Sequence, residues 1–283
     1  MVKLITKTLE LIQERQMDSE VGFVPTMGNL HAGHLSLLRD ALSQYKTVYF
    51  SIFVNPKQFG PHEDFNRYPR TLEKDLELIQ ETVKNFPDSK VIVFHPENPQ
   101  EIFPPNFNLN ISVWNLSRIL EGEKRPGHFD GVTTVVYQLF HLVKPNTSYF
   151  GLKDYQQYLI IKKMVKDLHL PIHIKGMPII REESGLALSS RNQYLSNEEK
   201  MSSLKLNLTL KKIAEILDSK KSNLPKGRVY IQQTLQDKNW NYLELRDSET
   251  LSQNIDHSKN ISILAVYQLG STRLLDNMQV EIK

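Results

Sequence analysis

The chain has 283 residues, a length that suits about two domains, and its 40% apolar and 24% charged residues are an ordinary globular composition that argues against disorder. Lys plus Arg number 35 against 32 Asp plus Glu, so the formal net charge of +3 permits an anionic substrate but sets up no field for nucleic acid. Absent cysteine excludes disulfides and thiolate chemistry. No apolar run approaches the ~20 residues of a membrane span, and Met1–Glu10 carries charges where a signal peptide needs its apolar core. A soluble, cytoplasmic protein with no membrane or nucleic-acid partner is expected.

The first two thirds of the chain alternate strand and helix patterns. Val21–Thr26 is a short apolar run. Gly33–Tyr45 has helical spacing, with Leu35, Leu38 and Leu42 on one face. Val48–Val54 reads as a buried strand. Thr71–Phe86 is predicted helical, with Thr71 as its N-cap and Leu72, Leu76, Ile79 and Val83 on one face. Val91–Phe94 is a strand, and the Pro, Asn and Phe of 96–108 predict a long loop. Then come a helix over Gly131–Val143, a strand at Ser148–Gly151, a helix over Asp154–Leu168 and a strand over Ile172–Ile180. Such alternation implies βαβ units. The expected fold is α/β, a Rossmann-like, doubly wound parallel sheet over residues 1–181.

Beyond Arg181 the pattern changes. A polar stretch, Glu182–Asn192, leads into helices at Asn197–Ser219 and Arg228–Leu235, then strands at Tyr242–Leu245, Ile261–Leu269 and Arg273–Leu275. Residues 182–283 are expected to form a smaller C-terminal α+β domain. In open parallel sheets, ligands bind at the carboxyl ends of the strands.

One strand-to-helix junction reads Val24-Pro-Thr-Met-Gly-Asn-Leu-His-Ala-Gly-His34. Gly28 and Gly33 permit close backbone approach to a ligand, and the helix start is expected to offer unpaired N–H groups. The junction is not a P-loop, because His34-Leu35 stand where Lys-Ser/Thr is required. It is not the dinucleotide fingerprint, because Leu30 stands where glycine is required. His31 and His34 flank the first helical turn, where imidazoles can hold phosphate oxygens and stabilise charge growing on them. Two other readings remain: a helix start that happens to contain two histidines, and a shared metal. The metal reading finds no third ligand at a recognisable spacing. The His-x-Gly-His signature resembles the HIGH motif of nucleotidylyltransferases and class I aminoacyl-tRNA synthetases, enzymes that attack the α-phosphate of ATP and release pyrophosphate.

Other segments carry polar groups at strand tips. Asn55 and Gln58 follow the strand ending at Val54, and uncharged amides suit hydroxyl and carboxylate groups. An ordinary Asn-Pro turn with a solvated Gln58 is the competing view. Arg125 and His128, in the glycine-rich loop 121–132, can face anions. Lys153 lies at a strand tip beside a helix start that Asp154 can cap, and Gln157 lies one turn in. Leu188-Ser-Ser-Arg-Asn192 offers two hydroxyls and a guanidinium to phosphates.

Together, Pro25–His34, Ser51–Phe59, Tyr68–Thr71, Arg125–Phe129, Lys153–Gln157 and Leu188–Asn192 resemble the pantoate–β-alanine ligase family, from about Val21 to Leu195 and more loosely to the C-terminus. The resemblance implies an ATP-dependent ligase. ATP adenylates (R)-pantoate, pyrophosphate leaves, and β-alanine attacks the acyl-adenylate to give pantothenate and AMP. It further implies His34, His31 and Lys153 as catalytic residues, with His34 the proton donor. Met27, Gly28, Asn29, Leu30, His31, Ala32, Gly33 and His34 then bind ATP. So do Gly151, Leu152, Lys153, Asp154 and Ile180, and Leu188, Ser189, Ser190 and Arg191 close over the distal phosphates. Gln58 and Gln157 bind pantoate, and Gln58 lies near the β-alanine site. Magnesium is implied as Mg–ATP with no protein metal site, the C-terminal domain as a lid, and the assembly as a homodimer.

Two positions depart from the family pattern. Leu152 stands where a glutamate is usual, which removes a charge beside the nucleotide. Lys74 stands where relatives carry an acidic residue implicated in magnesium binding, with Asp75 adjacent. A nucleotidylyltransferase of the same superfamily is the alternative function, and would keep the nucleotide on its product. A tRNA synthetase would need a further anticodon-binding domain. A nucleotide sensor would bind ATP without turnover.

Overall fold

A computed structural model describes residues 1–61 and 63–283. These residues form two units: Met1–Leu152 with Gln157–Pro178, and Lys153–Gln156 with Ile179–Lys283.

The first unit is built on six strands, β1 (Val2–Ile5), β2 (Val21–Thr26), β3 (Thr47–Ile52), β4 (Lys90–Phe94), β5 (Thr147–Gly151) and β6 (His173–Met177). They pair in parallel in the order β1-β4-β3-β2-β5-β6. Side chains alternate faces along a strand, so apolar residues at successive positions demand cover on both sides. Val24, Phe50, Ile52, Val91 and Val93 pack beneath α2 (Ala32–Gln44) and α3 (Leu72–Val83). Phe23, Tyr49, Ile92 and Phe94 share the opposite core with Leu11 of α1 (Thr8–Arg15), five valines and leucines of α5 (His128–Val143), and Ile161 of α6 (Tyr155–Asp167). Helices on both faces make the sheet doubly wound, as the alternation implies.

Several expected bounds shift. β1 and α1 are not legible in sequence: β1 is a four-residue edge strand containing Lys3, and α1 buries only Leu11. The short helix α4 (Glu121–Lys124) lies inside the stretch read as loop, and α5 starts three residues earlier than its apolar pattern. Thr71 does not cap α3; its hydroxyl donates instead to Asp75 at 3.1 Å.

From β2 the strand order runs outward through β3 and β4 on one side and through β5 and β6 on the other. The reversal falls between β2 and β5, the switch point at which α/β sheets open a crevice. Phe23 of β2 pairs with Ser148 of β5, which brings Thr26 and Gly151 level at their carboxyl ends.

The second unit packs α7 (Asn197–Leu217) and α8 (Leu224–Thr234) with the antiparallel strands β7 (Trp240–Asp247), β8 (Asn260–Leu269) and β9 (Thr272–Glu281). β9 outruns the predicted Arg273–Leu275 because Asp276 and Asn277 interrupt its apolar pattern. Both are buried, and Asp276 is gripped by Arg181 through two bonds of 2.6 and 2.8 Å.

Candidate active site

The junction after β2 is shaped by short polar side chains. The Thr26 hydroxyl donates to the Ser51 carbonyl at 2.7 Å and accepts the Gly28 N–H at 3.2 Å. Gly28 and Asn29 then take left-handed conformations, with φ of 83° and 51°. A Cβ at Gly28 would press on Ile52 and on the Asp75 carboxylate, at 2.9 and 3.0 Å, so glycine is required by both conformation and space. The Asn29 and Leu30 N–H groups donate to Asp75 Oδ2 and Oδ1 at 2.9 and 2.8 Å.

His31 is the N-cap of α2. Its Nδ1 accepts the Gly33 N–H at 3.2 Å, while His34 Nδ1 accepts the His31 N–H at 3.4 Å. The two rings lie 4.1 Å apart. A ring nitrogen that accepts carries no proton, so in the neutral rings the proton sits on Nε2 of each. The first turn of α2 has no acidic side chain, leaving its positive end uncompensated from within the helix. Several N–H groups of this junction have partners within the chain. His31 and Asp75 take the N–H groups of Gly33, Asn29 and Leu30, and His34 N–H bonds the His31 carbonyl.

Gln58 is buried, not solvated. Asn55 Nδ2 donates to its Oε1 at 3.0 Å and to the Gly131 carbonyl at 3.1 Å, and Gln58 Nε2 meets Met27 Sδ at 3.0 Å. Asn55 also accepts the Lys57 N–H, capping the 3-10 turn Pro56–Gln58. Residues from the tips of β2 and β3 and the start of α5 thus hold one amide in place. From the other side, His128 Nδ1 donates to the Gln58 carbonyl at 2.8 Å, which leaves its Nε2 to accept from Arg125 at 3.0 Å. Arg125 also grips Glu63, Nε to Oε1 at 2.7 Å. Arg125 and His128 therefore serve the protein's own carboxylate and carbonyl, where the sequence suggested an external anion.

Burial pushes the Glu63 carboxyl up, but the bonds and charge of Arg125, with His128 and the Gly60 N–H, outweigh it and hold the group below the usual carboxylate range. A lowered folded value means that the pair stabilises above the ordinary carboxyl value and that this is lost as pH falls through the lowered one. The melting midpoint of wild type should exceed that of Glu63→Gln at neutral pH, with the gap closing below about pH 4. A gap that widens in acid would contradict this account of the network.

At the tip of β5, a Cβ on Gly151 would meet nothing within 4 Å, so this glycine leaves open space above the strand end. Leu152 lies over Gly176 of β6, an apolar contact that a glutamate at 152 would lose: a Cβ on Gly176 would come 2.6 Å from Leu152 Cδ2. Gln157, in the first turn of α6, is half-buried. Among the second unit's residues, Lys153 pairs with Asp154 at 3.3 Å and its carbonyl accepts from Asn277 at 2.9 Å. The Ile180 carbonyl accepts the Leu188 N–H at 3.0 Å, and Ser189 Oγ accepts the Arg191 N–H at 3.3 Å. Asn192 ties this turn to Ala187 and Glu182.

Among the described residues, no three His, Cys, Asp or Glu side chains gather as a metal-ligand set, and no helix is long and apolar enough to cross a membrane. A groove of about 710 Å³ runs along β6 and α6 between Tyr158 and Gly176, and contains none of the motif residues. Sequence reasoning missed the bracing of Gln58 by Met27 and Gly131, and the part played by Glu63; no local signal marks either.

The family model for pantoate-beta-alanine ligase matches residues 1–279. The pantothenate synthetase of Acetivibrio thermocellus is 43% identical over 273 residues, covering 95% of this chain and 94% of that protein. The crystal structure of pantothenate synthetase from Thermus thermophilus superimposes with a TM-score of 0.87 at 39% identity, covering 98% of each chain. That of the pantoate-beta-alanine ligase from Francisella tularensis, complexed with beta-gamma ATP and beta-alanine, gives a TM-score of 0.75 at 32% identity, covering 98% of this chain and 97% of that one. The chain belongs to the pantoate–β-alanine ligase family, the pantothenate synthetases.

Proposed function

We propose that this ligase works through a pantoyl-adenylate. A carboxylate is a poor acyl donor because oxide would have to leave. In the first half-reaction a pantoate carboxylate oxygen attacks the α-phosphorus of ATP and pyrophosphate departs. In the second, the β-alanine amine attacks the acyl carbon, AMP departs with the bonding pair, and the nitrogen loses a proton to give the amide. The relative from Francisella tularensis, complexed with beta-gamma ATP and beta-alanine, supports the choice of nucleotide and amine.

The observation that carries the reading is the paired imidazoles at the start of α2. Each accepts a backbone N–H through Nδ1 and so presents Nε2 as its proton-bearing nitrogen. Held in place beforehand, such donors stabilise charge growing on the α-phosphate without reorganising, and the proton-donor role implied for His34 by the family resemblance fits an Nε2 that carries the proton. Gln58, with its amide fixed by Asn55 and Met27, takes the hydroxyl and carboxylate groups of pantoate, together with Gln157. Lys153 and Arg191 supply further cationic groups for nucleotide phosphates. Magnesium enters bound to ATP, held by phosphates and water, a ligand set that suits a small cation reluctant to lose its waters. The family reading carries a cytoplasmic homodimer with it.

The test is release of AMP and pyrophosphate from Mg–ATP with (R)-pantoate and β-alanine added singly and together. Pyrophosphate released with pantoate alone, in an amount matching enzyme, and AMP released only with both, is the expected result. A nucleotide retained on the product would point to a nucleotidylyltransferase instead. Gln157→Ala should weaken pantoate binding by about 10-fold, the scale of one hydrogen bond to a charged group, with ATP affinity unchanged. Equal pantoate affinity in calorimetry would remove Gln157 from the site.

A further inference from the structure

We infer that Asp75 is a positioning residue for nucleotide binding, shaping the Gly28–Leu30 turn by filling it from behind; this rests on the ligase reading above. Asp75 lies in the first turn of α3 and is 1% exposed. Its carboxylate accepts three donors: Asn29 N–H, Leu30 N–H and the Thr71 hydroxyl, at 2.9, 2.8 and 3.1 Å. Among the described residues no Lys, Arg or His pairs with it. Its charge is met by neutral donors and by the positive end of α3.

Burying a carboxylate without a counter-ion is costly, so what it organises matters. Successive N–H groups in a turn of positive φ form a concavity that binds anions. Here the chain's own carboxylate occupies that concavity, and the Asn29 and Leu30 N–H groups are turned away from any phosphate. The turn is thereby locked one residue before His31, whose N–H and ring set the orientation of His34. Gly28 belongs to the same device, since a methyl group there would strike Asp75 Oδ2. Asp75 thus acts on the nucleotide through the two imidazoles, not by touching it.

An asparagine at 75 can accept one of the two N–H groups but turns its own NH2 against the other. The test measures Asp75→Asn by ATP calorimetry, by steady-state kinetics and by thermal melting, beside wild type and Thr71→Val. The expected result for Asp75→Asn is ATP affinity and adenylation rate lowered about 10- to 100-fold, the scale of displaced catalytic groups, with the KM for β-alanine unchanged. Thr71→Val removes the third donor and spares the turn, so it should lower the melting midpoint without moving the ATP affinity. That contrast separates positioning from stability. Should Asp75→Asn fail to melt cooperatively, Asp75→Ser decides by the same readouts, since its smaller side chain also lacks the second acceptor oxygen and leaves Gly28 untouched. ATP affinity and adenylation rate within about twofold of wild type in the folded variant would overturn the inference. A wild-type protein that binds ATP but makes no pantothenate would instead sink the ligase mechanism, and the calorimetric comparison would still judge Asp75.

Discussion

His34→Ala should lower the single-turnover rate of adenylate formation by about 10²–10³-fold, the cost of one preorganised donor at a developing charge, while the fold persists. The ring is half-buried at the start of α2, and its Nδ1 meets the His31 N–H at a long 3.4 Å. Losing it leaves the His31 N–H to water, while the Gly33 N–H still holds the His31 ring. Melting should therefore change little, and the whole effect should fall on chemistry. Rapid-quench measurement of pyrophosphate formation with pantoate and ATP reads it directly. A wild-type rate would remove His34 from the reaction. Loss confined to ATP affinity, with an unchanged rate at saturation, would recast it as a binding group only.

Gly131→Ala should disrupt the surroundings of Gln58, the amide proposed to bind pantoate. A Cβ there lies well inside contact distance of the Lys57 carbonyl and the Gln58 nitrogen, both backbone atoms that have nowhere to go. The Gly131 carbonyl is also a partner of Asn55, which in turn holds the Gln58 amide. Overpacking against backbone costs about 3 kcal/mol, which for a chain of this size lowers the melting midpoint by roughly 6–12 °C. Folded enzyme should show a raised KM for pantoate with a nearly unchanged KM for ATP. An unchanged midpoint would mean that α5 and the Pro56–Gln58 turn can slide apart, and that the close approach is incidental.

The elements that sequence reasoning placed best are those whose signals are local. The strand Val21–Thr26 agrees residue for residue, because it is a continuous apolar run closed by a turn. The helix that follows it, and its two histidines, were legible for the same reason: the glycines, the histidines and an apolar face lie within a short stretch. The parallel, doubly wound sheet followed from alternation alone. β1 was hidden because a four-residue edge strand with a lysine has no pattern of its own; pairing with β4, about 90 residues away, makes it a strand. Thr71 was misread because helix capping is a local rule, and the hydroxyl found its acceptor in a carboxylate that also takes the N–H groups of the turn after β2.

What the sequence by itself determined was the family, the α/β class and the identity of the groups at the strand tips: two imidazoles, two amides and a lysine. Those follow from residue types, short spacings and periodicity. What only the tertiary structure decided was how each group is held. Asn55 reaches Gly131 across 76 positions, Arg125 reaches Glu63 across 62 and Asp75 reaches Asn29 across 46. A hydrogen bond needs its two atoms within about 3 Å, and over such separations only the folded sheet brings them that close. The same chemistry that reads as an anion site in the linear chain, Arg125 with His128, is spent inside the fold on Glu63 and the Gln58 carbonyl, because burial requires each polar group to find a partner.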